Sequence, residues 1–397
     1  MKEGWKYKPF GEVFPIKMGK TPPRGDKSCW DTKKESDNKW VSISDISQNE
    51  GKVIFDTKEY ITDAAAEKIF RVKANSLLMS FKLTIGKMAF AGTDLYTNEA
   101  IIAIPENKEY NLKFLYFYLS SYNWSSLTDG NEKVKGKTLN KESIGRIKLP
   151  IISLPEQQRI VSYLDAEFAK IEALKSNAEK QLQAAKDLFQ AALKELLTPK
   201  DGWVEKKLKE IGKTQTGCTP SMSNKDYYND NYIPFVKPSE INYDGLGGIN
   251  YETQMLSKLG ANAGRVFPAK SIFMVCIGAT ISKLGYSVRD VSCNQQINVI
   301  TPNEMYDYKY IYYAMLHPHF IQKVIKEGTS AQATLPIISK GKWEVLSIKI
   351  PSLSEQQRIA DRLDALSANV KALQTNYTET ITLCNDLKQA LLKKVFG

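Results

Sequence analysis

Residues 155–160 read PEQQRI and residues 354–359 read SEQQRI, so five residues recur 199 positions apart. Internal repeats decide an architecture before any local pattern does, so the comparison is extended in both directions. Residues 156–194 set against 355–393 at that offset share 18 of 39 positions, among them Glu156/Glu355, Gln157/Gln356, Arg159/Arg358, Leu164/Leu363 and Asp165/Asp364. Upstream the match loosens but persists. GW at 4–5 recurs at 202–203, GKTP at 19–22 as GCTP at 217–220, and TIGK at 84–87 as TISK at 280–283. NEAIIAI at 98–104 pairs with NQQINVI at 294–300, and YNLKFLYF at 110–117 with YDYKYIYY at 306–313. One module is written twice.

Charge follows the same division. Residues 1–150 carry a net charge of +6, 151–200 of 0, 201–351 of +4 and 352–397 of +1, within a total of +11 over 397 residues. The two basic blocks attract polyanions such as DNA. The neutral blocks read as long helices. In the first, apolar residues step by three or four from Ile160 through Leu164, Phe168, Ile171 and Leu174 to Leu196. In the second they run from Ile359 through Leu363, Leu366, Val370 and Leu387 to Val395. Ser153 and Ser352 each precede a glutamate by three residues, the capping-box spacing, and Pro155 sits where a missing N–H costs nothing. About forty helical residues span roughly 60 Å. A single apolar stripe of that length requires a partner, and the other copy supplies it. Connectivity then makes the pair antiparallel, with a pseudo-two-fold axis and neighbouring termini.

The expected fold is therefore α+β. Mixed α/β domains at 1–150 and 201–351 are joined by coiled-coil-like helices at 151–200 and 352–397. Within the basic blocks, 41–46, 76–81, 99–104 and 272–277 are rich in strand formers, and 64–70, 111–121 and 307–316 read as helices. The aromatic runs YFY and YIYY in the last two are assigned to the core.

Motifs for catalysis are missing. GKT at 19–21 and at 212–214 lacks the glycine five residues upstream that a phosphate loop needs; Phe14 and Lys207 stand there. There is no HExxH, no nucleophile elbow and no Asn/Asp-Pro-Pro-Tyr, and the five cysteines have no CxxC spacing. The only histidines are His317 and His319. No 18-residue apolar run and no signal peptide is seen, so a cytoplasmic location is expected. Polar, lysine-rich loops remain, of the kind that neutralise phosphates and read base edges. The DNA-binding candidates are Lys20, Thr21, Arg24, Lys27, Lys82, Lys133, Lys135 and Lys137 in the first block. In the second they are Thr219, Ser223, Lys225, Lys237, Lys283, Ser330 and Gln332, with Tyr227 and Tyr228 as stacking or core residues.

Two basic domains, each followed by a long helix that opens LPIISLPEQQRI or IKIPSLSEQQRI, resemble the specificity subunit of type I restriction–modification systems over the full chain. The resemblance implies that each α/β block is a target recognition domain reading one half of a split double-stranded DNA site. It implies that the helices set the separation, and that modification (methyltransferase) subunits, two in number by this expectation, dock on the scaffold and restriction subunits join them. It further implies no catalytic residue, metal or cofactor on this chain, with S-adenosylmethionine, ATP and magnesium on the partners. Half-sites about one helical turn apart, roughly 34 Å, suit such a two-fold reader. The competing readings are a stand-alone, non-catalytic nucleic-acid-binding protein and an enzyme, such as a magnesium nuclease, with an unrecognised carboxylate site.

Overall fold

The computed structural model describes residues 4–124, 139–242, 246–329 and 335–397. The chain divides into two compact units, Met1–Ser176 with Thr380–Gly397, and Asn177–Glu379. Each unit therefore combines one α/β domain with the start of one long helix and the end of the other.

In the first unit, strand Lys6–Pro9 pairs antiparallel with Lys148–Ile151. The main sheet has the order Lys17–Met18, Ile101–Ile104, Leu77–Ser80, Met88–Ala91 and Val53–Ile54. Its central strands bury every side chain, because sheet and helix cover both faces. A second sheet joins Glu59–Tyr60, Lys39–Val41 and Tyr96–Thr97. In the second unit Val204–Lys207 pairs with Ser347–Ile350 in the same way. The main sheet runs Gly212–Thr216, Ile297–Pro302, Ile272–Val275 and Leu284–Tyr286. The second runs Met255–Leu256, Ile233–Val236, Val291–Cys293 and Val266–Phe267. The repeat thus extends to strand order. The P-loop-like GKT at 212–214 is the start of a strand.

Two local expectations are corrected. The stretch 41–46 is no strand beyond Val41. Ser42 accepts from the Asp45 N–H and Asp45 from the Ser42 N–H, a capping box that starts the helix Ile43–Gln48. The stretch 64–70 holds only the short helix Asp63–Ala66. The aromatic helices Leu112–Ser120 and Tyr308–Leu316 form as expected. Phe117, Tyr118, Tyr310, Tyr312 and Tyr313 are core residues.

The long helices are Leu154–Leu196 and Leu353–Phe396. Ser352 Oγ accepts from the Glu355 N–H at 3.4 Å, while the Glu355 and Glu156 carboxylates engage Arg358 and Arg159. In the first unit the helix segments run antiparallel. Cys384 Sγ meets the Ile171 carbonyl, and one turn further on Lys388 pairs with Glu172 and lies over the Phe168 ring at 5.5 Å. Phe396 then enters the domain core, with its ring 5.6 Å from those of Phe114 and Tyr118 and 6.3 Å from Trp5. In the second unit Phe189, Leu193 and Leu197 share a core with Ile359, Leu363 and Val370. The stripe departs from expectation at Leu174 and Leu387, which are 60% and 48% exposed. Near the helix ends the domain covers a second flank, which widens the apolar arc and brings Leu392 and Phe396 into the core.

The phrase EQQRI acquires a structural role at this point. Gln157 is fully buried; its Oε1 accepts from the Asn111 N–H at 2.8 Å, and its Nε2 donates to the Glu109 and Ile152 carbonyls at 2.8 and 3.0 Å. Gln356 repeats this. Its Oε1 accepts from the Asp307 N–H at 3.0 Å and its Nε2 donates to the Pro351 carbonyl at 3.0 Å. Asn111 and Asp307 are the N-caps of the two aromatic helices. Two turns along, Lys113 pairs with Asp165 at 2.8 Å, and Lys309 pairs with Asp364.

Candidate nucleic-acid interface

The GKTP and GCTP loops leave the first strand of each main sheet and press against the backbone of 97–98 or 293–294. The Lys20 N–H donates to the Thr97 carbonyl at 2.8 Å, and the Cys218 N–H to the Cys293 carbonyl at 2.9 Å. A Cβ on Gly19 would overlap the Thr97 carbonyl, and one on Gly217 the Asn294 carbonyl, so both positions require glycine. The threonine of each motif then reaches the same neighbour. Thr21 donates to Glu99 and Thr219 to Gln295, while Pro22 and Pro220 are buried. This geometry gives Thr21 and Thr219 the work of fixing a loop. Lys20, on the same turn, is exposed, and its amine pairs with no described residue.

Arg24 stands in an aromatic frame. Its guanidinium lies 4.2 Å from the Trp30 ring and 4.8 Å from the Trp40 ring, and Nη2 donates to Glu59 at 3.2 Å. Cation–π contact and a carboxylate together hold the planar head in one orientation. Beside it opens a cleft of about 670 Å³ lined by Arg24, Lys27, Trp30, Lys34, Lys58 and Tyr60, with Asp31 and Glu59 on its wall. Lys34 and Lys58 were not among the sequence candidates. The run CWDTKK at 29–34, which sets two lysines close behind a tryptophan, is the signal that points to the first of them. Tyr60 is pushed up to about 12 by donating to Asp56 and by burial, so its hydroxyl remains a neutral donor at physiological pH.

Lys82 lies half-buried in the hairpin between Leu77–Ser80 and Met88–Ala91; burial pushes the Glu99 carboxyl up, but the hydrogen bond from Thr21 and, to a smaller degree, the charge of Lys82 hold it below the usual glutamate range. Thr21 and Lys82 therefore converge on Glu99, and Arg24 with Lys27 lines the separate cleft. The Leu139 N–H donates to the Phe81 carbonyl at 3.0 Å, so the chain rejoins the domain beside Lys82 after residues 125–138. Lys133, Lys135 and Lys137 lie outside the described residues, as do Ser330 and Gln332.

In the second unit Lys283 occupies the corresponding hairpin and donates to the Pro238 carbonyl at 3.3 Å. The Gly278 N–H donates to the Pro336 carbonyl and the Ile338 N–H to that of Cys276, each at 2.9 Å, so the same return of the chain is made here. Lys237 donates to Gln254 at 3.0 Å, and Ser223 bonds with Ser221 at 2.8 Å. Lys225 opens an exposed turn, and its amine pairs with no described residue. Tyr228 is a packing residue; its hydroxyl donates to the Pro220 carbonyl at 2.7 Å and its ring meets Phe235 edge-on. Arg289, stacked 4.4 Å from the Tyr251 ring, is a cation that loop composition did not single out.

The helices add a second kind of surface. Of the 18 identities between the copies, 11 are exposed in both, including Gln158/Gln357, Arg159/Arg358, Ala166/Ala365, Ala169/Ala368, Ala173/Ala372 and Asn177/Asn376. Only four are buried in both, Gln157/Gln356, Ile160/Ile359, Leu164/Leu363 and Leu193/Leu392. Internal packing therefore accounts for the minority of what the copies share. Among the described residues no group of three His, Cys, Asp or Glu is placed to hold a metal, and no helix is long and apolar enough to cross a membrane.

The family model of the type I restriction modification DNA specificity domain matches residues 2–184 and again 200–383. The specificity subunit of the type I restriction enzyme HindI from Haemophilus influenzae is 32% identical over 150 residues, 37% of this chain and 32% of that one. The EcoR124I/EcoR124II specificity subunit from Escherichia coli is 25% identical over 287 residues, 68% of this chain and 67% of that one. The matched part is thus about a third of the first relative and two thirds of the second. Among solved structures, a chain from work on complex assembly and conformational transition of the type I R-M system superposes with a TM-score of 0.75 at 19% identity, covering 100% of this chain and 98% of that one. The HsdS subunit of Thermoanaerobacter tengcongensis gives 0.57 at 18%, covering 100% and 97%. At these identities the two structures share the fold.

Proposed function

Because this chain belongs to the type I restriction modification DNA specificity family, we propose that each of its α/β domains reads one half of a bipartite DNA target while the paired helices carry the enzymatic subunits. The observation that carries this reading is the coincidence of two family matches with two structurally repeated domains that differ in their outer loops. Exposed cations such as Lys20, Lys27 and Lys225 neutralise phosphates, and oriented groups such as Arg24 read base edges. A stand-alone binder is not favoured, since it gives no reason for the shared exposed helix faces.

Two copies of one exposed face supply two equivalent docking sites, which supports two methyltransferase subunits per chain. The methyl donor S-adenosylmethionine, and the ATP and magnesium of cleavage, are assigned to the partners, in keeping with a cytoplasmic complex. Restriction subunits join that assembly. Methylation mapping of host DNA is expected to give a split target. Exchange of residues 1–150 for those of another such protein is expected to change one half-site alone; a change in both, or an unsplit target, refutes the reading. Light scattering with the methyltransferase subunit is expected to give two copies per chain. Ala169→Glu and Ala368→Glu should each remove one copy, and one-to-one binding by the unmutated chain refutes the stoichiometry.

A further inference from the structure

We propose that Gln157 and Gln356 are positioning residues that set which spacing between half-sites the complex accepts, an inference that rests on the two-reader assignment above. Each side-chain amide ties together three pieces of its own unit. These are the first turn of the long helix, the carbonyl just after the last strand (Ile152 or Pro351), and the N–H that opens the aromatic helix (Asn111 or Asp307). Buried polar groups of this kind lose more when one partner is removed than they contribute when satisfied, so the arrangement tolerates little displacement.

One such tie would leave a hinge. The second, between Lys113 and Asp165 or Lys309 and Asp364, lies eight residues further along the same helix, about 12 Å away. Two fixed points along a helix define the angle of the domain to it. Tyr313 adds a third bond to Asp364 at 2.6 Å in the second unit, where Phe117 stands in the first. The outer loops around the two domains differ, yet both glutamine ties are kept. What the repeat preserves is therefore the angle at which a reader is presented, and that angle acts on spacing without any contact to DNA.

The test uses the full chain reconstituted with its methyltransferase subunits and the target found by methylation mapping. Methylation rates are compared on that target and on versions whose spacer is one base pair longer or shorter. Gln157→Leu and Gln356→Leu are expected to lower the preference for the native spacer about tenfold, the scale of one buried hydrogen bond lost. Half-site sequence preference should stay unchanged, and the exposed control Gln181→Leu should behave as the unmutated chain. Hydrogen exchange at the Asn111 and Asp307 amides should rise in the respective variants. If a leucine variant does not fold, Lys113→Met and Lys309→Met test the same angle through the second tie. Faster exchange with an unchanged spacer preference overturns the inference while leaving the two readers intact. Indifference of the unmutated complex to half-site sequence overturns the reader assignment and the inference with it.

Discussion

The joints of the two α/β domains are alike, and their outer layers are not. At both joints a buried glutamine holds the N-cap of an aromatic helix, and a lysine–aspartate pair follows two turns on. In the outer layers Arg24 packs against both Trp30 and Trp40 in one domain, while Arg289 stacks on Tyr251 in the other. Among the described residues the main sheet gains an extra parallel strand, Val53–Ile54, only in the first. The contrast separates two demands on one module: mounting, which must be the same at each end, and reading, which must differ.

Paired substitutions can break or sharpen that contrast. The largest effect is expected in the shared mounting. Leu164→Ala and Leu363→Ala, both fully buried, should each cost about 2–5 kcal/mol in denaturant titrations, and unequal costs would show that the joints are not equivalent. Next come Gly19→Ala and Gly217→Ala, where a methyl group meets a carbonyl oxygen; each should lose about 1–3 kcal/mol by the same measurement. Smaller still is a gain. Gly86 and Ser282 occupy the same hairpin position with φ of 82° and 73°, so Ser282→Gly should raise stability by about 0.5–1 kcal/mol. The reverse change at Gly86 brings a side chain against the Trp124 indole and should destabilise.

The smallest effect tests a difference in the seam. Glu172 is held below the usual glutamate range by its hydrogen bond to Lys388, whereas the corresponding residues of the second copy, Lys371 and Phe189, cannot form such an ion pair. A depressed carboxylate contributes stability above its unfolded pKa, near 4.5, and loses it as pH falls through the folded value. Because the glutamate side of the pair is exposed to solvent, Glu172→Gln should cost under about 1 kcal/mol at pH 7. Thermal melts should show that difference vanishing in acid.

The repeat, the two long helices, their antiparallel pairing and the burial of the aromatic runs were legible in the sequence, because apolar spacing is a local signal, the repeat is read by self-comparison, and connectivity then fixes the direction of the pair. Ile43–Gln48 was not, since Ser42 and Asp45 start a helix inside a stretch whose composition favours a strand. Leu174, in the middle of its helix, and Leu387 fit the stripe by spacing yet face outward, because tertiary cover, rather than periodicity, decides which flank of a helix is buried. In the candidate interface, composition found the loops but not which cations are tethered. The framing of Arg24 by Trp30, Trp40 and Glu59 depends on residues up to 35 positions away. Thr21 and Thr219 looked like DNA contacts because they are polar and repeated, and their bonds to Glu99 and Gln295 supply another reason for the repetition.

The seating of Phe396 against Trp5, Phe114 and Tyr118 bears on the order in which the protein is made. The second unit has all its residues once position 379 has left the ribosome, but the first needs 380–397 as well. Contacts such as that of Cys384 with Ile171 close a loop of 213 residues, the kind of long-range closure that slows folding. The domain synthesised first is thus completed last, and until then its aromatic core lacks the closing helix turn that carries Phe396.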